Sequence, residues 1–249
     1  ENYYKSYIMG IRRGPNIVRD GLVFAVDAAN PSSFVSGSGV IWKDQTVNQN
    51  DGTLTNGPVF DSDGGGSIDF DGSDDYVRIS NSPELQFGVG SFTAFAWIYP
   101  QGTNNVRIIN NRGTGAGGNY KGYQLKLLQA GSNWYFSDSV IDDGDGNLKN
   151  YNSSNNYPLN SWYYVSMVYE TQNELRFYVN SVLDGTLSVG TYGSLTNSLP
   201  TAIGAGISHN GVEGTLSQEY NGKISITGLY NRALSASEIL QNYNALKGR

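Results

Sequence analysis

Between residues 21 and 232 short apolar runs alternate with clusters of Gly, Asn, Asp and Ser, and no helical stripe intervenes. "LVFAVD" (22–27) is one such run. "SFTAFAWIYP" (91–100) is apolar on both of its faces, the pattern of a central strand covered on two sides, and "WYYVSMVYE" (162–170) is similar. In "NELRFYVNSVLDGTLS" (173–188), Leu175, Phe177 and Val179 alternate with Arg176, Tyr178 and Asn180. Asn180-Ser181 then stands where a two-residue hairpin turn belongs. Turn clusters recur at "NQNDG", "DSDGGG", "GTGAGGN" and "DDGDGN". Strands at this spacing predict a sandwich or barrel. The one predicted helix is 235–247: Ser235 and Glu238 form a capping box, and Ile239, Tyr243 and Leu246 make one apolar stripe. A single short helix on such a body is expected to cover a sheet edge or the base of the sandwich.

Composition narrows the function classes. Apolar residues make up 38% of the 249, with 18 Tyr, 9 Phe and 4 Trp, enough to fill a large core. The net charge of −6 gives no general attraction to nucleic acid or anionic lipid. Cysteine is absent, which excludes disulfide and thiolate chemistry, and no apolar run reaches membrane-spanning length. Residues 1–20 are polar and locally basic, with Lys5, Arg12, Arg13 and Arg19. They read as an N-terminal arm, ordered by a neighbouring chain, ahead of one domain over 21–249.

"IDFDGSDDYV" (68–77) sets Asp69, Asp71, Asp74 and Asp75 close together. On a strand, Asp69 and Asp71 share one face and Ile68 and Phe70 the other, while Asp74 and Asp75 fall at a turn, where Asp side chains accept from nearby backbone N–H groups. Neither "DDGDGN" nor "DSDGGG" completes an EF-hand loop. The single histidine, His209, lies in a Gly-rich stretch, and no G-x-S-x-G surrounds a serine. Gly113, Gly115 and Gly118 match G-x-G-x-x-G but lie between two predicted strands, so the run is a loop and not a dinucleotide cradle.

"GLVFAVDAANPSSF", "GTLTNGPVFD", "SIDFDGSDDYV", "SFTAFAWIYP", "SWYYVSMVYE", "LRFYVNSVLDG" and "GKISITGLYNRALSASEILQNYNALKGR" occur in this order. The ordered set resembles the concanavalin A-like, laminin G-like jelly-roll family, nearest to the versions in virion proteins of tailed bacteriophages, including those of marine bacteria. The resemblance implies an all-β, antiparallel β-sandwich with one short C-terminal helix. It does not imply one function. Hydrolases of this family carry E-x-D-x-x-E on one strand, where two carboxylates can flank a glycosidic bond. Here Glu1, Glu84, Glu170, Glu174, Glu213, Glu219 and Glu238 do not form that pattern. Relatives also place a calcium between an aspartate of the first strand and one of the last. The first position stands here as Asp27, but G-K-I-D has become Gly222-Lys223-Ile224-Ser225. The aspartates of 69–75 therefore read first as turn and strand-face residues, with a structural Ca²⁺ on Asp27, Asp69, Asp71, Asp74 or Asp75 as the alternative.

The expected function is that of a non-catalytic virion surface protein, of capsid decoration or fibre type, with weak glycan binding. Tyr120, Tyr123, Trp134, Tyr135, Tyr151 and Tyr157, set among Asn and Ser, are the candidate sugar-stacking residues. Lys5, Arg12, Arg13 and Arg19 would dock the arm on other virion proteins, with many copies per particle facing a host-surface glycan. No nucleic acid partner and no membrane insertion are expected. The location is the virion, with an extracellular protein as the alternative. The competing readings are a purely structural, capsid-stabilising protein and a divergent polysaccharide hydrolase.

Overall fold

The computed structural model describes residues 16–37, 39–102, 105–114, 120–144, 147–208 and 218–248. Two antiparallel sheets pack face to face. The first runs Val182–Ser188, Glu174–Val179, Tyr163–Glu170, Phe92–Pro100, Asn221–Tyr230, Ser67–Asp71, Val59–Asp61, with Leu22–Asp27 also paired to Asn221–Tyr230. The second runs Leu148–Tyr151, Ser139–Asp142, Gly122–Ala130, Val106–Asn110, Thr201–Ile203, Tyr76–Ile79, Gly52–Thr55, Ile41–Trp42. Asn133–Phe136 pairs with the far end of Gly122–Ala130, and Tyr157–Pro158 pairs with Asn133–Phe136 in turn.

Asn221–Tyr230 is where the first sheet changes partners. One edge lies along Phe92–Pro100. The other pairs with Ser67–Asp71 through residue 224 and with Leu22–Asp27 from residue 226. The register shifts between Ile224 and Ile226, so Ile224 joins the inter-sheet core while Ile226 packs on the outer face. Ser225 sits at this irregularity, fully buried, and its Oγ donates to the Gly66 carbonyl at 2.7 Å.

The hairpin Glu174–Val179/Val182–Ser188 turns through Asn180 and Ser181, both at positive φ (50° and 67°), the requirement of the type I′ turn that matches strand twist. Ser181 adopts this conformation despite its Cβ.

The helix Ala236–Leu246 forms with its expected capping box. It lies over the outer face of the first sheet and not at an edge or the base. Ile239 and Leu246 cluster there with Phe95, Trp97, Tyr164 and Tyr230. Phe95, Trp97 and Tyr164 alternate with core residues such as Ala96 and Val165, which explains why those strands read as apolar on both faces.

The expected boundary at residue 20 falls inside a packed segment. Val18 is buried in the same outer cluster. Buried Asn242 accepts from Val18 N (2.8 Å) and donates to the Tyr230 hydroxyl (3.0 Å), which donates to Val18 O (2.8 Å). Gln241 donates to the Asn16 carbonyl, and Arg232 pairs with Asp20. Residues 16–20 thus dock on the domain itself, because the helix and Tyr230 satisfy their backbone. Arg19 is exposed; Lys5, Arg12 and Arg13 lie outside the described residues.

Glu238 joins the helix start to Arg232. Its carboxylate takes both Arg232 Nη2 (2.6 Å) and Nη1 (3.1 Å), and also the Ser235 N–H (2.9 Å). The Arg232 bond, ahead of the Ser235 contacts, holds its pKa down to about 2 from an ordinary 4.5. A lowered acid pKa stabilises fully above the unfolded value and loses that contribution as pH falls through the folded one. Glu238→Gln keeps a capping side chain but removes the charge paired with Arg232; it is expected to cost up to ~1 kcal/mol at pH 7, the scale of a partly exposed ion pair, and to flatten the stability decline between pH 4.5 and 2. Chemical denaturation across that range checks both.

Candidate functional site

The outward face of the second sheet carries an ordered polar row. In register, Arg78 faces Ala202, Ala202 faces Asn110, Asn110 faces Gln124, Gln124 faces Val140, and Val140 faces Asn150. Arg107 and Lys126 face one another on the adjoining row. These residues point outward because their neighbours Tyr123, Leu125 and Leu127 are in the core.

The polar groups are linked. Arg107 Nε donates to Gln124 Oε1 (2.8 Å), and Gln124 Nε2 donates to the Asp138 carbonyl (2.7 Å). The Asp138 carboxylate takes Lys126 Nζ (2.8 Å) and Asn150 Nδ2 (2.6 Å). Arg107, Asn110, Gln124 and Lys126 are all buried. Yet Arg107 Nη1, Asn110 Nδ2 and Asn150 Oδ1 have no hydrogen-bond partner. Native proteins rarely leave buried donors and acceptors open, so unfilled ones in a group mark a place for water or ligand. Burial, then Arg112, pushes the Arg107 guanidinium down to about 10. Burial also lowers Lys126, against the pull of Asp138, whose own carboxyl is held low by Lys126.

Half-buried tyrosines stand at the two ends of the strand Gly122–Ala130. Tyr120 lies just before it, with the Arg112 guanidinium 5.3 Å from its ring centroid. Tyr135 lies across from Leu128 near its end. Arg112 is also fixed by Asp142 (2.7 Å).

Trp134 and Tyr123, expected as exposed stacking residues, are corrected by the structure: they are 0% and 1% exposed. Trp134 packs edge-on against Phe136 and Tyr163, and Tyr123 packs against Phe87 and Phe92. Strand alternation sends Trp134 inward and Tyr135 outward. Tyr151 and Tyr157 are half-buried and belong to a separate rim. Their hydroxyls donate to Asp184 Oδ2 (2.9 Å) and Oδ1 (2.5 Å), and Asn155 Nδ2 donates to Oδ1 (2.9 Å). Burial, and then the Asp184 bond, raises both hydroxyls, Tyr151 to about 12. This arrangement fastens 151–157 to the hairpin strand Val182–Ser188. The residues not anticipated were Arg107, Asn110, Gln124, Lys126, Asp138 and Asn150. Their signal was present: Gln124 and Lys126 alternate with Tyr123, Leu125 and Leu127, and Arg107 interrupts an apolar run.

The five candidate metal ligands separate into three groups. Asp71, Asp74 and Asp75 each offer a carboxylate oxygen within 4.8 Å of the others. Asp69 sits across the ladder from Lys223, and Asp27 holds the Ala29 N–H at 3.0 Å. Turn bonding accounts for much of the first group: Asp71 accepts from Ser73 N (2.8 Å) and Asp75 from Asp71 N (2.9 Å). Three carboxylates fall short of the six to eight oxygens that calcium takes. Lys223 already supplies a cation nearby, bonded to Asp61 (2.9 Å) and Asp63 (2.6 Å).

A family model for the concanavalin A-like lectin/glucanases superfamily, of laminin G type, matches residues 71–240, more than half the chain. The chain belongs to this superfamily. Among solved structures, the binding domain of Paraclostridial Mosquitocidal Protein 1 superposes with a TM-score of 0.69 at 16% identity, over 90% of this chain and 52% of that one. The binding domain of botulinum neurotoxin serotype G gives 0.65 at 13% identity, over 89% and 50%. The ligand-binding domain of serotype D, solved with N-acetylneuraminic acid, gives 0.66 at 14%, over 92% and 51%. The chain therefore spans about half the length of these domains, and at such identities the likeness is one of fold. No curated protein matches the chain. The superfamily includes glucanases by name, but on this face Asp138 is held by Lys126 and Asp142 by Arg112. A carboxylate paired to a cation is a poor general acid.

Asp75, 4% exposed, has its pKa raised by burial, and then by Asp71 and Asp74 against the Asp71 N–H bond. A raised acid pKa favours the folded state at low pH, and that contribution is lost as pH rises through the folded value. Asp75→Asn is therefore expected to gain in melting temperature relative to wild type on going from pH 3 to pH 7. Chelator is expected to leave wild type unchanged. A drop of several degrees with chelator, restored by Ca²⁺, would place a metal on the 71–75 carboxylates.

Proposed function

We propose that this domain is a non-catalytic carbohydrate-recognition module. It reads glycan through the outward face of the second sheet and is displayed in many copies on the surface of a tailed-phage particle. The observation that supports the reading best is the polar floor of buried Arg107, Asn110, Gln124 and Lys126 with part-exposed Asp138 and Asn150, which holds unfilled donors on Arg107 and Asn110 and an unfilled acceptor on Asn150, between Tyr120 and Tyr135. A sugar presents hydroxyls that both donate and accept, and an apolar ring face that stacks on tyrosine. The floor and its flanking rings match those needs. Structural neighbours point the same way: the serotype D domain was solved with N-acetylneuraminic acid, and cell entry of the serotype C toxin depends on two ganglioside molecules. The virion setting is supported by the ordered sequence resemblance set out above.

Affinity at one such face is modest, so adhesion depends on repetition, and copies on one particle multiply it. The test is a glycan array probed with the domain on a multivalent carrier. Gln124→Ala and Tyr135→Ala are expected to lower binding at least tenfold, while Tyr151→Phe, on the separate rim, leaves it unchanged. If the multivalent domain binds no glycan or cell envelope, and particles lacking the protein lose only physical stability, a structural decoration role replaces the adhesive one.

A further inference from the structure

Among the described residues, Arg107 is a cation with no ion-paired anion. It is 2% exposed, and one side chain, Gln124, accepts from it. Its Nη1 has no acceptor. Among the described residues no carboxylate forms an ion pair with it: Asp138 is held by Lys126, Asp142 by Arg112, and buried Glu219 attracts the guanidinium without pairing to it. A guanidinium withdrawn from water is costly unless a counter-charge and acceptors replace the water it lost. Close packing beside it is built in: a Cβ on Gly206 would stand 2.8 Å from Arg107 Nη1 and 3.2 Å from Gln218 Oε1. That Gln218 oxygen is itself unpartnered, so the two neighbours have not satisfied each other.

The geometry points to Arg107 as the anchor of an oxyanion subsite that takes the carboxylate or sulfate of an acidic sugar. A planar guanidinium offers parallel N–H donors that fit such a group two atoms at a time. Gln124 fixes the orientation of the fork by holding Nε. Lys126, facing Arg107 across the ladder, adds positive charge. Asn110, facing Gln124, brings an unpartnered Nδ2 donor for the anion or an adjacent hydroxyl. Neutral ring hydroxyls would satisfy Asn110 and Asn150 but leave Arg107 without an ion-paired anion. That difference separates acidic from neutral glycans. The assignment rests on the glycan reading above and specifies its ligand class.

Thermal melts and calorimetric titrations of the full chain with sodium sulfate, sodium glucuronate and glucose, at constant ionic strength set by chloride, test it. Saturable stabilisation by sulfate, by glucuronate or by both is expected, with none from glucose, and the responding anion identifies the source of the charge. Arg176→Gln, which removes a cation on the other sheet, should respond like wild type. Arg107→Gln should lose the response, and Arg107→Lys, which keeps charge but not the fork, should weaken it at least tenfold. Absence of saturable stabilisation in wild type, or an equal response in Arg107→Gln, overturns the proposal. If Arg107→Gln fails to fold, the wild-type titration and Arg107→Lys decide. The glycan array fails separately: neutral glycans bound equally by wild type and Arg107→Lys sink the subsite and spare the glycan reading, whereas anion binding with no glycan bound does the reverse.

Discussion

A sheet in this fold has two faces to cover, and the middle of the first sheet has both of them closed. Its inner face meets the second sheet through Phe92, Ala94, Ala96, Val165 and Met167. Its outer face, with Phe95, Trp97, Tyr164 and Tyr230, is sealed by Val18 and by Ile239 and Leu246 of the C-terminal helix. Apolar rings of that size left in water would make an exposed patch prone to association, so the helix and residues 16–18 are part of the domain's integrity. The polar sheet-wide surface is thereby confined to the outward face of the second sheet.

That division explains the distribution of charge. Lys223, Asp61 and Asp63 form a compact group beside the strand Asn221–Tyr230, and Ser225 ties the register shift to the loop at Gly66. Those bonds position chain. On the second sheet the bonding differs. Arg107, Gln124, Asp138, Lys126 and Asn150 form a connected set in which some atoms are paired and others, Arg107 Nη1 and Asn150 Oδ1, are not. Buried polar networks stabilise when complete and are costly when they are not, and on the proposed reading ligand supplies the missing partners here.

Local signals were readable in the sequence where the physics is local. The Ser235–Glu238 cap depends on residues three apart, and the Asn180-Ser181 turn on two residues. The strands Phe92–Pro100 and Tyr163–Glu170 were legible as doubly covered, although what covers their outer face was not, because the helix arrives from the far end of the chain. The candidate site was legible only in part. Alternation implied that Trp134 and Tyr135 face opposite ways, but which one meets the core depends on Phe136 and Tyr163, and Tyr163 is brought there by long-range pairing. Aromatic residues drew attention as sugar platforms, while Gln124 and Lys126, set between core residues, had the clearer outward signature. The metal reading of the aspartates separated for a similar reason: Asp27 and Asp69 are close to other groups in space, and only 71, 74 and 75 converge.

The central claim is that ligand occupies the outward face of the second sheet and meets Arg107. A crystal structure of the domain soaked with an acidic oligosaccharide selected from the glycan array tests this most directly. The account predicts density along the strand Gly122–Ala130, with an anionic group on the Arg107 guanidinium and hydroxyls on Asn110 or Asn150. Density instead at the Tyr151–Tyr157–Asp184 rim, with the Arg107 fork unchanged, would contradict it.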